Sequence, residues 1–144
     1  MALNFLIDTN VALDVVLRRE PFFAASKRVT DLPDKYDINE FVSATTVTDI
    51  YYVARRQLKS HEVVMDLLKE FLETVKIADV THRIVYAALN SGGKDFEDSV
   101  QYAVAKSNGF DGIVTRNMEG FGDEEVKIFT PEEFCTYIDE IVEV

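Results

Sequence analysis

The chain has 144 residues, 47% of them hydrophobic, and a formal charge of −11. That length and apolar content predict one folded domain, residues 1–144, with its own core, and exclude a disordered chain. No apolar run approaches the roughly 18 residues of a bilayer span.

Neither a membrane segment nor a signal peptide is therefore expected, since the N-terminus has no basic stretch ahead of a long apolar one. The single cysteine, Cys135, cannot form an internal disulfide, which fits a reducing cytoplasm, and it reads as a packed thiol on an amphipathic helix. The charge is uneven. Residues 118 to 144 hold nine acids against one base, Lys127, whereas the first 117 residues carry a net charge of only −3. Acidity alone thus does not exclude a surface that approaches a phosphate backbone. The acidic end reads as a solvated face or as a docking surface for a basic partner.

In chain order, residues 3 to 7 form a short buried strand, and Asn10 to about Arg18 follow with helical spacing. Pro21 in "REPFFAASKRV" stands near the start of a second helix, and "DLPDKYD" is a loop. "FVSA" (41–44) is the second strand, and Thr45 and Thr46 open a long helix. Ser60 caps the helix "HEVVMDLLKEFLETV", and "VKIADV" (75–80) is the third strand. "THRIVYAALN" and "DFEDSVQYAVAKSN" are helices, and "GIVT" (112–115) and "VKIFT" (126–130) are strands. Thr130-Pro131-Glu132 then caps a final helix. Strands alternating with helices predict an α/β domain with a mostly parallel sheet, whose ligands bind beyond the carboxyl ends of the strands.

Four polar positions fall at that edge: Asp8 after the first strand, Asp49 inside the helix after the second, Asp95 and Asp98 before the fourth, and Thr115-Arg116-Asn117 after it. Each has a structural explanation. Asp8 or Asn10 caps a helix, and Thr46-x-x-Asp49 and Asp95-x-x-Asp98 resemble capping boxes. Their shared edge is the argument for a site, because converging carboxylates repel unless a cation lies between them. Oxygen donors without His or Cys favour Mg²⁺ or Mn²⁺ over zinc. "SGGKDFED" lacks the spacing of a phosphate-cradling loop, and no GxSxG or GxGxxG occurs. An aspartyl-phosphate phosphatase of the haloacid-dehalogenase type would need a second Asp where Asn10 stands.

"LIDTNVALDVVLRREPF", "SATTVTDIYYVARR" and "DFEDSVQYAVAKSNGFDGIVTRNMEGF" together resemble the PIN-domain ribonuclease family, most of all its bacterial VapC-type toxin branch, over about residues 3 to 130. The resemblance implies a three-layer α/β/α sandwich with a five-stranded parallel sheet and cleavage of RNA with Mg²⁺ or Mn²⁺. It makes Asp8, Asp49 and Asp98 the catalytic and metal-holding acids, with Asn117 in the fourth position and Asp95 auxiliary. Asp49 stands where Glu is common, and Asn117 and Gly120 where relatives place acids. Thr9, Asn10 and Thr115 are expected to hydrogen-bond the carboxylates, and Arg56, Arg116 and Arg55 to contact RNA. The partners implied are an RNA substrate, a VapB-like antitoxin and a second copy in a homodimer. The antitoxin segment is expected between residues 10–32, where Phe22 and Phe23 are adjacent, and the helix from 46 to 59. A PIN scaffold that binds RNA or protein but cleaves poorly is the alternative, and a metal-dependent phosphatase a third reading.

Overall fold

Phe5, Leu6 and Ile7 are apolar in succession, the pattern of a strand covered on both faces. The structure, a computed structural model, describes residues 2–121 and 125–142 and shows that strand at the centre of a sheet. Its strands are β1 (Leu3–Ile7), β2 (Ile38–Ser43), β3 (Lys76–Ala78), β4 (Gly112–Val114) and β5 (Lys127–Phe129). They pair in parallel throughout, in the order β3-β2-β1-β4-β5. The connecting helices are α1 (Thr9–Val16), α2 (Phe23–Asp31), α3 (Ala44–Leu58), α4 (His61–Phe71), α5 (His82–Leu89), α6 (Phe96–Ser107) and α7 (Pro131–Val142).

Alternation along β1 divides the core. Phe5 and Ile7 face a cluster with α1, α2, α3, α4 and α7, including Val11, Val29, Ile50, Leu68 and Phe134. Leu6 faces the opposite layer, where Ile84, Ala88, Val100 and Val104 bring in α5 and α6. The result is the expected α/β/α sandwich. Strand order reverses between β1 and β4, so a crevice forms beyond their carboxyl ends. Asp8 directly follows β1 and Thr115 directly follows β4.

Local chemistry explains the helix starts, including those that depart from expectation. Ser60 accepts from the Val63 N–H at 3.3 Å, as its capping role requires. Thr130 and Glu133 exchange reciprocal side-chain to backbone bonds of 3.1 and 3.0 Å across the first turn of α7. The long helix α3, by contrast, is capped by Ser43 rather than by Thr46. Ser43 Oγ accepts from the Thr46 N–H at 3.2 Å, which leaves the Thr46 hydroxyl available to the interior. Pro21 does not open α2; it lies in the turn ahead of Phe23, a turn drawn back by Arg19, whose guanidinium pairs with Asp14 at 3.1 Å. β2 begins at Ile38 rather than Phe41, which carries Glu40 into the sheet interior.

Candidate active site

Asp8 caps α1 and is only 4% exposed, so its carboxylate depends on protein donors. Three are in place. Oδ1 accepts from the Thr9 N–H at 2.9 Å and from Gln101 Nε2 at 3.0 Å, and Oδ2 accepts from the Thr115 hydroxyl at 2.8 Å. Gln101 also donates to the Thr46 hydroxyl at 3.2 Å, and Thr46 meets the Thr9 hydroxyl at 2.9 Å. Two strand ends and three helices are thereby tied around one carboxylate.

Helix α6 supplies the next acids. Asp95 is its N-cap, and its Oδ1 accepts from the Asp98 N–H at 3.0 Å, so the capping explanation holds for Asp95. Asp98 and Gln101, one helical turn apart, share the face directed at Asp8. Partial burial and then the charges of Asp8 and Asp95 push the Asp98 carboxyl up to about 6. Glu97, which sequence reasoning passed over, belongs to the same field: its carboxyl is raised by desolvation and by Asp49, Asp8, Asp95 and Asp98. Asp49, half-buried on α3, is raised by burial.

Asn117 donates a long hydrogen bond, 3.4 Å, to Asp98 Oδ2, and its own N–H donates to the Thr115 hydroxyl at 3.0 Å. Gly120 lies so close that a Cβ there would overlap the Asp98 carboxylate, so no side chain, acidic or otherwise, fits without displacing it. Thr115 acts on Asp8 as expected. Thr9 reaches it through its backbone N–H rather than its hydroxyl, and Asn10 acts one step further out, donating to Thr115 Oγ1 at 3.3 Å.

The arginines divide. Arg116 is committed to a structural clamp: its Nε and Nη2 meet the two carboxylate oxygens of fully buried Asp14 at 2.7 and 3.2 Å. Its guanidinium also lies 3.7 Å from the Phe22 ring centroid, which accounts for the partial exposure of that phenylalanine. Arg116 thereby straps the end of β4 to α1, with part of its side chain still exposed. Arg55 and Arg56 sit in the last turn of α3, Arg55 half-buried and Arg56 exposed. Cys135 is buried and its thiol is pushed up to about 11, mainly by burial, which fits a packed thiol. A concave surface runs between α1, α2 and α4, lined by Val15, Phe23, Leu67 and Phe71 among others; α3 does not contribute to it.

Among the described residues, no three His, Cys, Asp or Glu side chains close into a cage around one point. What the structure assembles is an acidic field: Asp98 feels the charges of Asp8 and Asp95, Asn117 lies against Asp98, and Glu97 feels Asp49 and the same acids. The donors are all oxygens, and neighbouring charges raise the Asp98 and Glu97 carboxyls, so the chemistry fits a hard divalent cation bound by few protein ligands and several waters.

A parallel sheet in this order, with acids gathered at the β1/β4 reversal, defines an α/β protein whose site lies at the sheet's carboxyl edge. The chain belongs to the PIN domain family, whose model matches residues 4–119. It is 27% identical over 137 residues to Ribonuclease VapC1 of Aquifex aeolicus, covering 90% of this chain and 91% of that protein. The fold is similar to that of Mycobacterium tuberculosis VapC20, described as a toxin cleaving the sarcin-ricin loop. That match has a TM-score of 0.60 and 15% identity, over 76% of this chain and 86% of VapC20. VapBC2 of Rickettsia felis, solved with a promoter DNA fragment, gives a TM-score of 0.66 at 12% identity, over 89% of this chain and 98% of that one. No helix among the described residues is long and apolar enough to cross a membrane.

Proposed function

We propose that this chain is an Mg²⁺- or Mn²⁺-dependent endoribonuclease and the toxin of a type II toxin–antitoxin pair. The observation that carries the reading is the buried Asp8 carboxylate at the β1/β4 crevice, held by Gln101 and Thr115, with Asp98 on α6 within reach of its charge. When bound by Asp8 and Asp98, with Asp49, Asp95 and Asn117 around them, a divalent ion supplies Lewis acidity toward a phosphate and a more acidic water. The protein groups do the rest. Gln101, Thr115 and the Thr9 N–H fix the Asp8 rotamer, so that one Oδ2 lone-pair direction is left for the site. Asp49, or Asp95 through a water, orients the attacking water or takes its proton. Arg56, two turns along α3 from Asp49, holds the RNA backbone with Arg55 beside it. The products are a 5′-phosphate and a 3′-hydroxyl.

The similarity to ribonuclease VapC1 supports the activity, and the pairing of VapB with VapC in the Rickettsia structure supports a VapB-like antitoxin. Its C-terminal segment would lie along the α1–α2–α4 concavity and direct a basic side chain to Asp8 and Asp98. A homodimer and a cytoplasmic location complete the reading. Cleavage of single-stranded RNA with titrated Mn²⁺ or Mg²⁺ tests it: activity should appear with the ion, vanish with EDTA and be absent in Asp8→Asn. Co-expression adds the second arm, in which the wild type arrests growth and the product of the neighbouring reading frame restores it. The neutral Asn117 and the occluded Gly120 favour one alternative, a PIN scaffold that binds RNA or protein without cleaving it. RNA binding with cleavage no faster than in Asp8→Asn would establish that alternative.

A further inference from the structure

A cleft of about 270 Å³ opens beside Asp98. Its walls are the α5–α6 loop at Ser91 and Gly93, the first turn of α6 at Ser99, and the segment after β4 at Gly120 and Phe121. Asp98 therefore belongs both to the acidic centre and to this cleft.

The charge of the walls selects the ligand. Among the described residues no Lys or Arg lines the cleft, so its walls offer a phosphate no side-chain cation of their own. Serine hydroxyls beside an aromatic wall suit a neutral, flat group with polar edges. One hydroxyl proton cannot serve both the Ala88 carbonyl at 2.9 Å and Ser99 Oγ at 3.2 Å, the two acceptors within reach of Ser91. With the Ser91 proton on the Ala88 carbonyl, Ser99 Oγ donates to Ser91 Oγ and keeps acceptor lone pairs for such an edge.

The glycines give an independent argument. Gly92 has φ +77° and open space around it, so its backbone explains it. Gly93 and Gly120 are not among the positive-φ glycines, yet a Cβ at Gly93 would overlap Ser99 Oγ and one at Gly120 would overlap the Asp98 carboxylate. Close packing, rather than conformation, accounts for both: at these glycines the walls of the cleft approach Ser99 and Asp98 directly.

We infer that the cleft receives the base of the nucleotide next to the scissile phosphate of single-stranded RNA and gives the enzyme a base preference at that one position. This rests on the ribonuclease reading above. The test maps wild-type cleavage in a random single-stranded RNA pool, then compares an oligonucleotide of the preferred sequence with the same oligonucleotide made abasic at the adjoining position. Gly93→Ala should lower kcat/KM about tenfold on the intact oligonucleotide, the scale of one lost base contact, and less than about twofold on the abasic one. Ser99→Ala, which adds no atoms, should change which base is preferred while leaving the melting temperature in place. Equal losses on both oligonucleotides, or no base bias at any position in the wild type, would overturn the inference. The same cycle is read as affinity by fluorescence anisotropy with Asp8→Asn. If the wild type binds but never cleaves, the ribonuclease reading falls while this cycle still decides the cleft; if it binds no single-stranded RNA, both fall.

Discussion

Asp8 and Glu40 are buried carboxylates on neighbouring strand segments, 4% and 1% exposed, and the protein treats them in opposite ways. Asp8 has three donors converging on it. Among the described residues neither oxygen of Glu40 has a hydrogen-bond partner, and burial, together with Asp31 and Asp34, raises its carboxyl well above the ordinary value. Burial alone therefore does not mark a functional acid in this fold. The donors do, because a carboxylate meant to act must be kept oriented, whereas one that only fills space can keep its proton.

The largest effect should come from a third buried carboxylate, Asp14, which has the most complete ion pairing. Asp14→Ala leaves Arg116 and Arg19 without their shared partner and should cost about 3 kcal/mol, the low end for a broken buried pair because both arginines are partly exposed. Urea unfolding measures it. A loss below about 1 kcal/mol would show that the clamp contributes no more than a surface ion pair.

Next come the site acids. Asp8→Asn and Asp98→Asn should each reduce RNA cleavage at least ~100-fold. Both should still fold, since the amide is isosteric and removes a charge from a crowded field. Circular dichroism melts alongside the cleavage assay separate the two effects, and residual activity within about tenfold of wild type would remove that acid from the chemistry. Gln101→Leu should follow, with cleavage down about 10–100-fold and a higher Mn²⁺ requirement, as when an outer partner of a ligand is removed. An unshifted Mn²⁺ midpoint would show that Asp8 is held well enough without it.

The contrast also shows what a reader of the sequence could see. Asp8, Asp98 and Thr115 were legible because strand ends and helix starts share an edge in any parallel sheet, whatever the tertiary detail. Gln101 carried a signal that went unused: it stands one helical turn beyond Asp98, so a residue directed at the site implied another behind it. The ion pair of Arg116 was not legible, for a definite reason. Its partner Asp14 is 102 positions away in the chain and sits on an apolar helix face, where an acid needs a cation that local spacing cannot name. Glu40 was lost through the strand boundary. With β2 started at Phe41, the alternation Ile38, Glu40, Val42 on the inward face was cut in half.

Glu40 supplies the smallest effect and the one whose sign is most diagnostic. Its carboxyl is raised in the folded protein, so between the ordinary value near 4.5 and the higher folded one, the native state holds a proton that the unfolded chain releases. The associated contribution is fully present below that window and is lost as pH rises through it. Glu40→Leu removes the titration and the unpartnered oxygens together. It should therefore stabilise the protein by about 1–2 kcal/mol at pH 8, and by less at pH 5. Urea midpoints of wild type and variant across that range should converge toward acid and separate toward base. Parallel midpoints would mean that Glu40 keeps one protonation state in both folded and unfolded chains, and that the difference from Asp8 is one of hydrogen-bond partners alone.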